Sequence, residues 1–253
     1  MKVEIPDGAE RGVVKSVGRV FEVLEAFNDS RQPMSAMQFA KRLNYPASST
    51  IALLKSMAKL GYLSFDRGSR TYFPTIRLAI ISEYLHSALV GEGRVMALIE
   101  ELHAQTGETT ILAIQNDLDV QYIHSIPSIY PIMLNVRPGD LRPLCGSGAG
   151  WALLSRYTDA EIAQFVKRIN RRGDRPPVDL AELLGIIGEV RAVTYARSYG
   201  TFIQGSGAIA MVPPTGTGRP IAICVGGPVE RLQSKEREIV RAMRSGIAKY
   251  FPA

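Results

Sequence analysis

Apolar positions repeat with helical spacing at the start of the chain, and polar breaks separate the repeats. One stripe predicts a first helix over Val14–Phe27. Ser35 is followed three residues later by Gln38, a capping box that predicts the start of a short second helix. Pro46 suits the first turn of a third helix, and Gly61 is its predicted left-handed end.

The third helix has two unlike faces when it is drawn as a helical wheel. Its apolar face carries Thr50, Leu53, Leu54, Met57 and Leu60. Its opposite face carries Ser48, Ala52, Lys55 and Lys59, with Ser49 and Ser56 beside them. One face is suited to packing, whereas a small, polar and cationic face is suited to lying against nucleic acid.

Two short β-prone runs follow, YLSF and TYFP, and the segment DRGSR between them predicts a hairpin with a glycine-containing loop. Arg67 and Arg70 lie at the tip, where we expect them to reach phosphates or the minor groove. This order of elements is that of a winged helix-turn-helix: two helices, a turn, a third helix and a basic hairpin. A three-helix packing module without nucleic-acid contacts is the alternative.

The pattern after the hairpin predicts a linker and a second domain. TIRLAIISEYLHSAL forms a broadly apolar helix, which we interpret as a linker or dimer helix that exposes Ile76, Ile80 and Tyr84. The predicted divisions are a flexible N-terminus (1–12), a winged helix-turn-helix (13–75), the linker helix (76–92) and the second domain (93–253).

The second domain contains segments with helical periodicity and segments with the alternation of strands. Helices are predicted at Arg94–Gln105, Trp151–Arg156, Asp159–Ile169, Leu180–Val190 and Ser234–Tyr250. Strands are predicted at Thr109–Ala113, Val120–Ile126, Tyr130–Val136, Thr194–Tyr199, Ala208–Val212 and Ile221–Val225. Strands, then helices, then strands indicate an α+β domain with a mostly antiparallel sheet.

The positive charge of the chain is concentrated in one part of the sequence. The chain is 46% hydrophobic and 21% charged, as in ordinary globular proteins, with a net charge of +6. Between Val13 and Arg77 there are ten Lys or Arg and four Asp or Glu, so this quarter carries the whole excess. A cationic module on a near-neutral body indicates contact with a polyanion, and a solvated basic surface is the alternative.

Other residue types exclude several classes of protein. The two cysteines form no disulfide framework, and the three histidines have no ligand spacing, so we expect neither a metal nor a cofactor. The N-terminus has no apolar signal-peptide core, and no apolar run reaches the 18 or so residues of a membrane span. We therefore expect a cytoplasmic protein with no membrane partner.

CGSGAGW is the sharpest motif in the second domain. Its three glycines could free backbone N–H groups for a small carboxylate, or could serve only a tight packing turn. A dinucleotide site is disfavoured, because an apolar strand does not precede the turn. Ser147 lies outside any G-x-S-x-G elbow. No catalytic residues are predicted, and an enzyme that binds a phosphate-bearing substrate at Gly146–Gly150 is the alternative function.

The segments SVGRVFEVLEAF, MSAMQFAKRLNYPASSTIALLKSMAKLGYL, RPLCGSGAGWALLS and IAICVGGPVERL together resemble the IclR family of bacterial transcriptional regulators across nearly the whole chain. The resemblance implies a winged helix-turn-helix joined to a GAF-like effector-binding domain. It implies dimers or dimers of dimers on palindromic double-stranded operators. It also implies control of catabolic operons for small organic or aromatic acids.

The polar face of the third helix, the basic hairpin and the resemblance together give candidate residues for two sites. The DNA-binding candidates are Ser35, Ala47, Ser48, Ser49, Ile51, Ala52, Lys55, Arg67 and Arg70. The effector-binding candidates are Gly148, Ala149, Trp151, Tyr195, Arg197, Gly207, Cys224 and Gly226. Ala52 stands where the family usually has arginine and Trp151 where it usually has lysine, so base readout and pocket chemistry are expected to differ from the common pattern.

The matched pocket positions predict the class of effector. They provide a cation, glycines and one cysteine in place of the family's acid and hydroxyls. We expect Arg197 to bind a carboxylate through both guanidinium nitrogens, with the Gly148 and Ala149 N–H groups holding a second oxygen. Trp151, Tyr195 and Tyr199 would be aromatic walls. The expected ligand is a carboxylic acid with an apolar or aromatic body.

Overall fold

The computed structural model describes residues 14–85, 93–215 and 219–252, and these divide into two compact units at the boundary between Ser87 and Ala88. The predicted flexible N-terminus and residues 86–92 of the predicted linker helix lie outside the described residues. No helix within those described ranges combines the length and apolarity needed to cross a bilayer. Within the same ranges, no three His, Cys, Asp or Glu side chains are grouped to hold a metal ion.

The first unit is a winged helix-turn-helix, as predicted. Its elements are α1 (Lys15–Ser30), β1 (Met34–Ser35), α2 (Ala36–Leu43), α3 (Ala47–Lys59), β2 (Leu63–Asp66), β3 (Thr71–Pro74) and α4 (Arg77–Leu85). The strands form an antiparallel sheet in the order β1–β3–β2. The short β1 was not predicted, and its pairing of Met34 with Tyr72 attaches the start of α2 to the hairpin.

Local chemistry fixes the helix-turn-helix. Ser35 and Gln38 form the predicted capping box, in which each side chain binds the other residue's backbone. Asn44, in the left-handed conformation, ends α2, and Gly61 follows α3 with φ of +82°. The buried Phe39 contacts Phe27 edge-to-face at 4.9 Å between ring centroids, which holds α2 against α1.

The second unit is α+β with an antiparallel sheet, as predicted. Its helices are α5 (Arg94–Thr106), α6 (Gly148–Leu154), α7 (Asp159–Arg172), α8 (Leu180–Val193) and α9 (Val229–Tyr250). Its strands are β4 (Thr109–Asn116), β5 (Asp119–Ile126), β6 (Leu141–Pro143), β7 (Ala196–Tyr199), β8 (Ser206–Met211) and β9 (Ile221–Pro228). The strand order is β6–β5–β4–β9–β8–β7.

The sheet is packed on both faces. One core joins it to α6, α7 and α8, and includes Ile111, Tyr122, Leu153 and Ile187. The other joins it to α5 and α9, and includes Leu98, Ile209, Val225 and Met243. Because side chains alternate along each strand, a one-residue change of register decides which core a residue faces.

The prediction of a strand at Tyr130–Val136 is wrong. Side chains, rather than a neighbouring strand, bind the backbone carbonyls of this segment. Thr109 Oγ1 donates to Leu134 O at 2.9 Å, and Arg231 Nη2 donates to Ile132 O at 2.9 Å. Pro131 cannot donate a hydrogen bond to a neighbouring strand. The position beside β5 is taken by the short edge strand β6, which was not predicted.

Candidate functional sites

The outer face of α3 is exposed and cationic. Ser48, Ala52 and Lys55 are exposed, whereas Ala47, Ser49 and Ile51 are half-buried. The opposite face packs into the core of the first unit through Thr50, Leu54 and Met57, all buried. The two faces inferred from the sequence are therefore the faces of the folded helix, except that Leu60, which was assigned to the apolar face, caps the helix end and is exposed.

Two hydroxyls near this face are already engaged. Ser49 Oγ donates to Pro46 O at 3.0 Å, and Ser56 Oγ donates to Ala52 O at 2.8 Å. Ser35 Oγ accepts the Gln38 N–H at 3.3 Å, which leaves the Ser35 hydroxyl proton able to donate. Ser48 and Lys55 are thus the α3 side chains best placed to contact an outside partner.

The hairpin loop between β2 and β3 is ordered by one carboxylate. Asp66 accepts from Gly68 N and from Ser69 Oγ, both at 2.8 Å. The Ser69 hydroxyl and the Gly68 N–H lower the pKa of Asp66 below its ordinary value. Arg67 and Arg70 are exposed, and Arg70 has a positive φ of 55°. The loop therefore presents both guanidinium groups on a fixed turn.

The second unit contains a narrow cleft between α6 and strands β7 and β8. Gly148 and Ala149 line it from α6, Ser198 and Gly207 line it from the sheet, and Phe202 lines it from the connecting loop. The free space is about 40 Å³, room for a water molecule or two. The sequence-based candidates that meet here are Gly148, Ala149 and Gly207.

Arg142 is the cation of this cleft, and it was not predicted from the sequence. Its side chain is 14% exposed and stacks on the rings of Tyr122 and Phe202, 5.1 and 5.0 Å from their centroids. Its guanidinium donates to Leu141 O at 2.8 Å and lies 3.5 Å from Asp140 Oδ2. The available signal was the alternation in β6, where Leu141 is exposed and the next residue faces inward.

Arg197 and Tyr195 lie away from the cleft, which corrects the sequence-based assignment. Along β7, Ala196 and Ser198 face the α6 side, so their neighbours face α9. Arg197 Nη1 binds Glu236 Oε1 at 3.0 Å, and the Tyr195 hydroxyl donates to the same oxygen at 2.7 Å. The register was wrong by one residue, because Ser198 occupies the cleft position.

Glu236 is the centre of this second cluster. Tyr199 also donates to it, at 2.7 Å to Oε2. Burial raises the pKa of Glu236, but the hydrogen bonds from Tyr195, Tyr199 and Arg197 outweigh it and lower that pKa below its ordinary value. The hydrogen bond from Arg197 to this carboxylate in turn raises the pKa of Arg197. This network fixes β7 to α9.

The remaining effector candidates lie in the core. Trp151 is buried, and its Nε1 donates to Cys145 O at 2.9 Å, so it is not an aromatic wall of the cleft. Cys224 faces the α6 side but is buried, and burial raises the pKa of its thiol to about 12. A Cβ at Gly226 would lie 2.5 Å from Leu134 Cδ2, so this glycine admits a side chain that lines the cleft.

The glycine turn serves close packing. A Cβ at Gly150 would lie 1.9 Å from the Leu144 carbonyl oxygen, in the 3₁₀ turn Leu144–Gly146 before α6. A Cβ at Gly148 would lie 2.7 Å from Ser198 Oγ, across the cleft. The packing interpretation therefore holds at Gly150, whereas Gly148 keeps the cleft open beside Ser198.

Comparisons with known proteins identify both units. The family model described as Bacterial transcriptional regulator IclR C-terminal matches residues 84–249, and the IclR helix-turn-helix domain matches residues 16–67. The transcriptional regulator KdgR of Escherichia coli (strain K12) is 26% identical over 73% of this chain and 70% of its own length. KdgR of Dickeya chrysanthemi is 27% identical over 62% of this chain and about half, 51%, of its own length.

A solved structure matches the second unit. The effector domain of the putative transcriptional regulator IclR from Acinetobacter sp. ADP1 has a TM-score of 0.60 and 27% identity, and the match covers 66% of this chain and 98% of that one. The matched proteins are transcriptional regulators rather than enzymes.

Proposed function

The chain belongs to the IclR family of bacterial transcriptional regulators, and we propose that it binds a palindromic operator as a homodimer and senses a small carboxylic acid, in the cytoplasm. It is a regulator with a DNA-binding unit and an effector unit, not an enzyme. The proposal rests on the presence of two features in one chain. The first unit has a helix with an exposed cationic face, and the second unit has a cleft built around Arg142.

The proposed docking places α3 in the major groove. Ser48 and Lys55 would contact base edges or phosphates, and the Ala52 methyl would lie against a thymine methyl, since it has no polar atoms with which to read a base. Arg67 and Arg70 would contact the backbone or the minor groove. Tiled duplexes from the gene's own upstream region test this directly, because one tile should bind far more tightly than a scrambled duplex.

Replacing Arg70 with Ala is expected to weaken binding to operator and random duplexes alike, by about three- to tenfold, and to reduce the salt slope by about one phosphate contact. The reason is that Arg70 is exposed on the hairpin, where its guanidinium would reach a phosphate rather than a base edge. Fluorescence anisotropy over a salt series measures both quantities. Lys167→Ala, an exposed cation of α7, is the control and should leave both unchanged. An Arg70→Ala protein with unaltered salt dependence would contradict this docking.

The proposed effector binds Arg142 through a carboxylate. Ser198 and Ser206 supply hydroxyls around the same cleft, while Leu134 and Ile203 supply apolar walls. A carboxylate can replace the ring of Phe202 on the guanidinium, with two charge-assisted hydrogen bonds. These residues support a carboxylic acid with an apolar or aromatic body.

Binding requires the cleft to open, since about 40 Å³ holds no organic acid. The segment that carries Phe202 lies between Gly200 and Gly205, which have φ of +70° and +78°. Two hydrogen bonds hold this segment in its present conformation. Gly200 N donates to Ser206 O at 2.8 Å, and Ser206 Oγ donates to Ile203 O at 2.9 Å. We propose that these glycines are the hinges of that movement.

The proposed dimer uses α4 and Ile76, the residue just before it. Ile76, Ile80 and Ile81 are 74%, 60% and 47% exposed, an apolar face that is costly to leave in water. The side chain of Tyr84, the third member of the predicted stripe, lies outside the described residues. A two-fold dimer also fits a palindrome, since one helix-turn-helix reads one half-site.

Ile80→Glu is expected to shift the protein from dimer to monomer at micromolar concentration, because it introduces a charge into the apolar contact that the proposed dimer would bury. Sedimentation velocity measures the change. Ile132→Glu, at an isoleucine of the second unit that is also exposed, is the control and should remain dimeric. A wild-type monomer that still binds operator tightly would refute the dimer.

A further inference from the structure

A groove between α1 and α3 borders the proposed DNA-reading face. Its free volume is about 320 Å³. The α1 side is formed by Lys15, Ser16 and Arg19, and the other side includes Tyr45, Ser49, Ala52 and Ser56. Ala52 and Ser56 are exposed residues of α3, so the groove continues directly from the face that would enter the major groove.

Arg19 is held in this groove with an unused donor. Its Cζ lies 4.4 Å from the centroid of the Tyr45 ring, whose hydroxyl donates to Glu22. Arg19 Nε is buried and, within the part of the chain that the structure describes, has no hydrogen-bond partner. Buried donors are nearly always paired, because an unpaired one costs about 1–3 kcal/mol. An acceptor from outside the chain would satisfy this donor.

The chemistry around Arg19 selects an anion. Lys15, one turn earlier on α1, adds an exposed ammonium, and no carboxylate lines the groove. The nearby hydroxyls of Ser49 and Ser56 donate to backbone carbonyls of their own helix. The residues that line the groove thus include two cations and no carboxylate, and the neighbouring Glu22 accepts from the Tyr45 hydroxyl. The anion that must lie beside a helix inserted in the major groove is a backbone phosphate.

We propose that Lys15 and Arg19 bind a backbone phosphate of the DNA strand that borders the major groove occupied by α3. The proposal rests on the DNA-binding function above and gives α1, outside the helix-turn-helix, a direct part in it. Tyr45 holds the guanidinium in place, so the contact sets the position of α3 on the duplex without reading sequence.

Lys15→Gln and Arg19→Gln test the contact in the full-length protein. Each variant is expected to lose about three- to tenfold in affinity for the operator and for a scrambled duplex, with a shallower salt slope and an unchanged preference between the two. Arg19→Lys keeps the charge and should recover the slope. Arg31→Gln is the control, because Arg31 follows the opposite end of α1, about 24 Å along the helix.

A second readout does not depend on how the variants fold. The Arg19 Nε–Hε resonance should shift when a short duplex is added to the wild-type protein. If that resonance stays fixed, or if Lys15→Gln keeps the wild-type affinity and slope while the wild type discriminates its operator, the phosphate contact is wrong and the proposed function stands. Loss of operator binding alone, at unchanged slope, would also overturn it. A wild-type protein that binds no duplex would overturn both.

Discussion

Arg142→Gln is expected to lower the affinity for carboxylic-acid effectors by about 30- to 150-fold. The variant keeps a polar but shorter side chain and removes the charge and the planar fork of guanidinium donors, and such charge-assisted bonds contribute about 2–3 kcal/mol. Arg142 is nearly buried, so water replaces little of this loss. Isothermal titration calorimetry over a panel of aliphatic and aromatic acids measures it.

Arg197→Gln is the matched control for that experiment. The substitution is identical, but Arg197 lies on the opposite face of the sheet and binds Glu236 at 3.0 Å. We expect effector affinity within about twofold of wild type, because a half-exposed ion pair contributes little to a distant cleft. Loss of binding in Arg197→Gln with retention in Arg142→Gln would reverse the assignment. Tight binding of two-carbon acids would contradict the apolar body of the ligand.

Gly150→Ala is expected to destabilise the second unit by about 3 kcal/mol or more. The new Cβ would lie 1.9 Å from the Leu144 carbonyl oxygen and 2.7 Å from its carbon, which are backbone atoms that cannot rotate away. Relief requires separating α6 from the preceding 3₁₀ turn, which also breaks the bond from Trp151 Nε1 to Cys145 O. Urea denaturation followed by circular dichroism gives the free energy of unfolding.

Gly185→Ala supplies the control for the helix substitution itself. Gly185 lies in α8 with open space at its Cβ position. Alanine there should raise the free energy of unfolding by about 0.5–1 kcal/mol, the usual gain of alanine over glycine within a helix. Equal stability of Gly150→Ala and wild type would show that α6 and the turn do not pack as closely as described.

The winged helix-turn-helix could be predicted because its signals are local. The capping box at Ser35, the left-handed Gly61 and the two faces of α3 each depend on residues within a few positions. The strand β1 escaped prediction because two residues carry no periodicity, and their partners, Tyr72 and Thr71, lie nearly forty positions further along the chain. Local patterns cannot report such a pairing.

The effector cleft could be predicted only in part. Gly148 and Ala149 were found because the glycine turn is a local motif. Arg197 was misplaced because the face of a strand residue depends on register, and one residue of shift exchanges Arg197 for Ser198. Arg142 was overlooked because a three-residue edge strand looks like a turn until its pairing with β5 is known.

The most direct test of the account is the operator affinity of the wild-type protein with and without an effector acid. We expect one duplex from its own upstream region to bind at least about a thousandfold more tightly than a scrambled duplex. A carboxylic acid that binds in calorimetry should change that affinity by about 5- to 150-fold, and the change should be absent in Arg142→Gln. Equal binding of both duplexes, or the same response to the acid in Arg142→Gln, would contradict a regulator that senses carboxylates through this cleft.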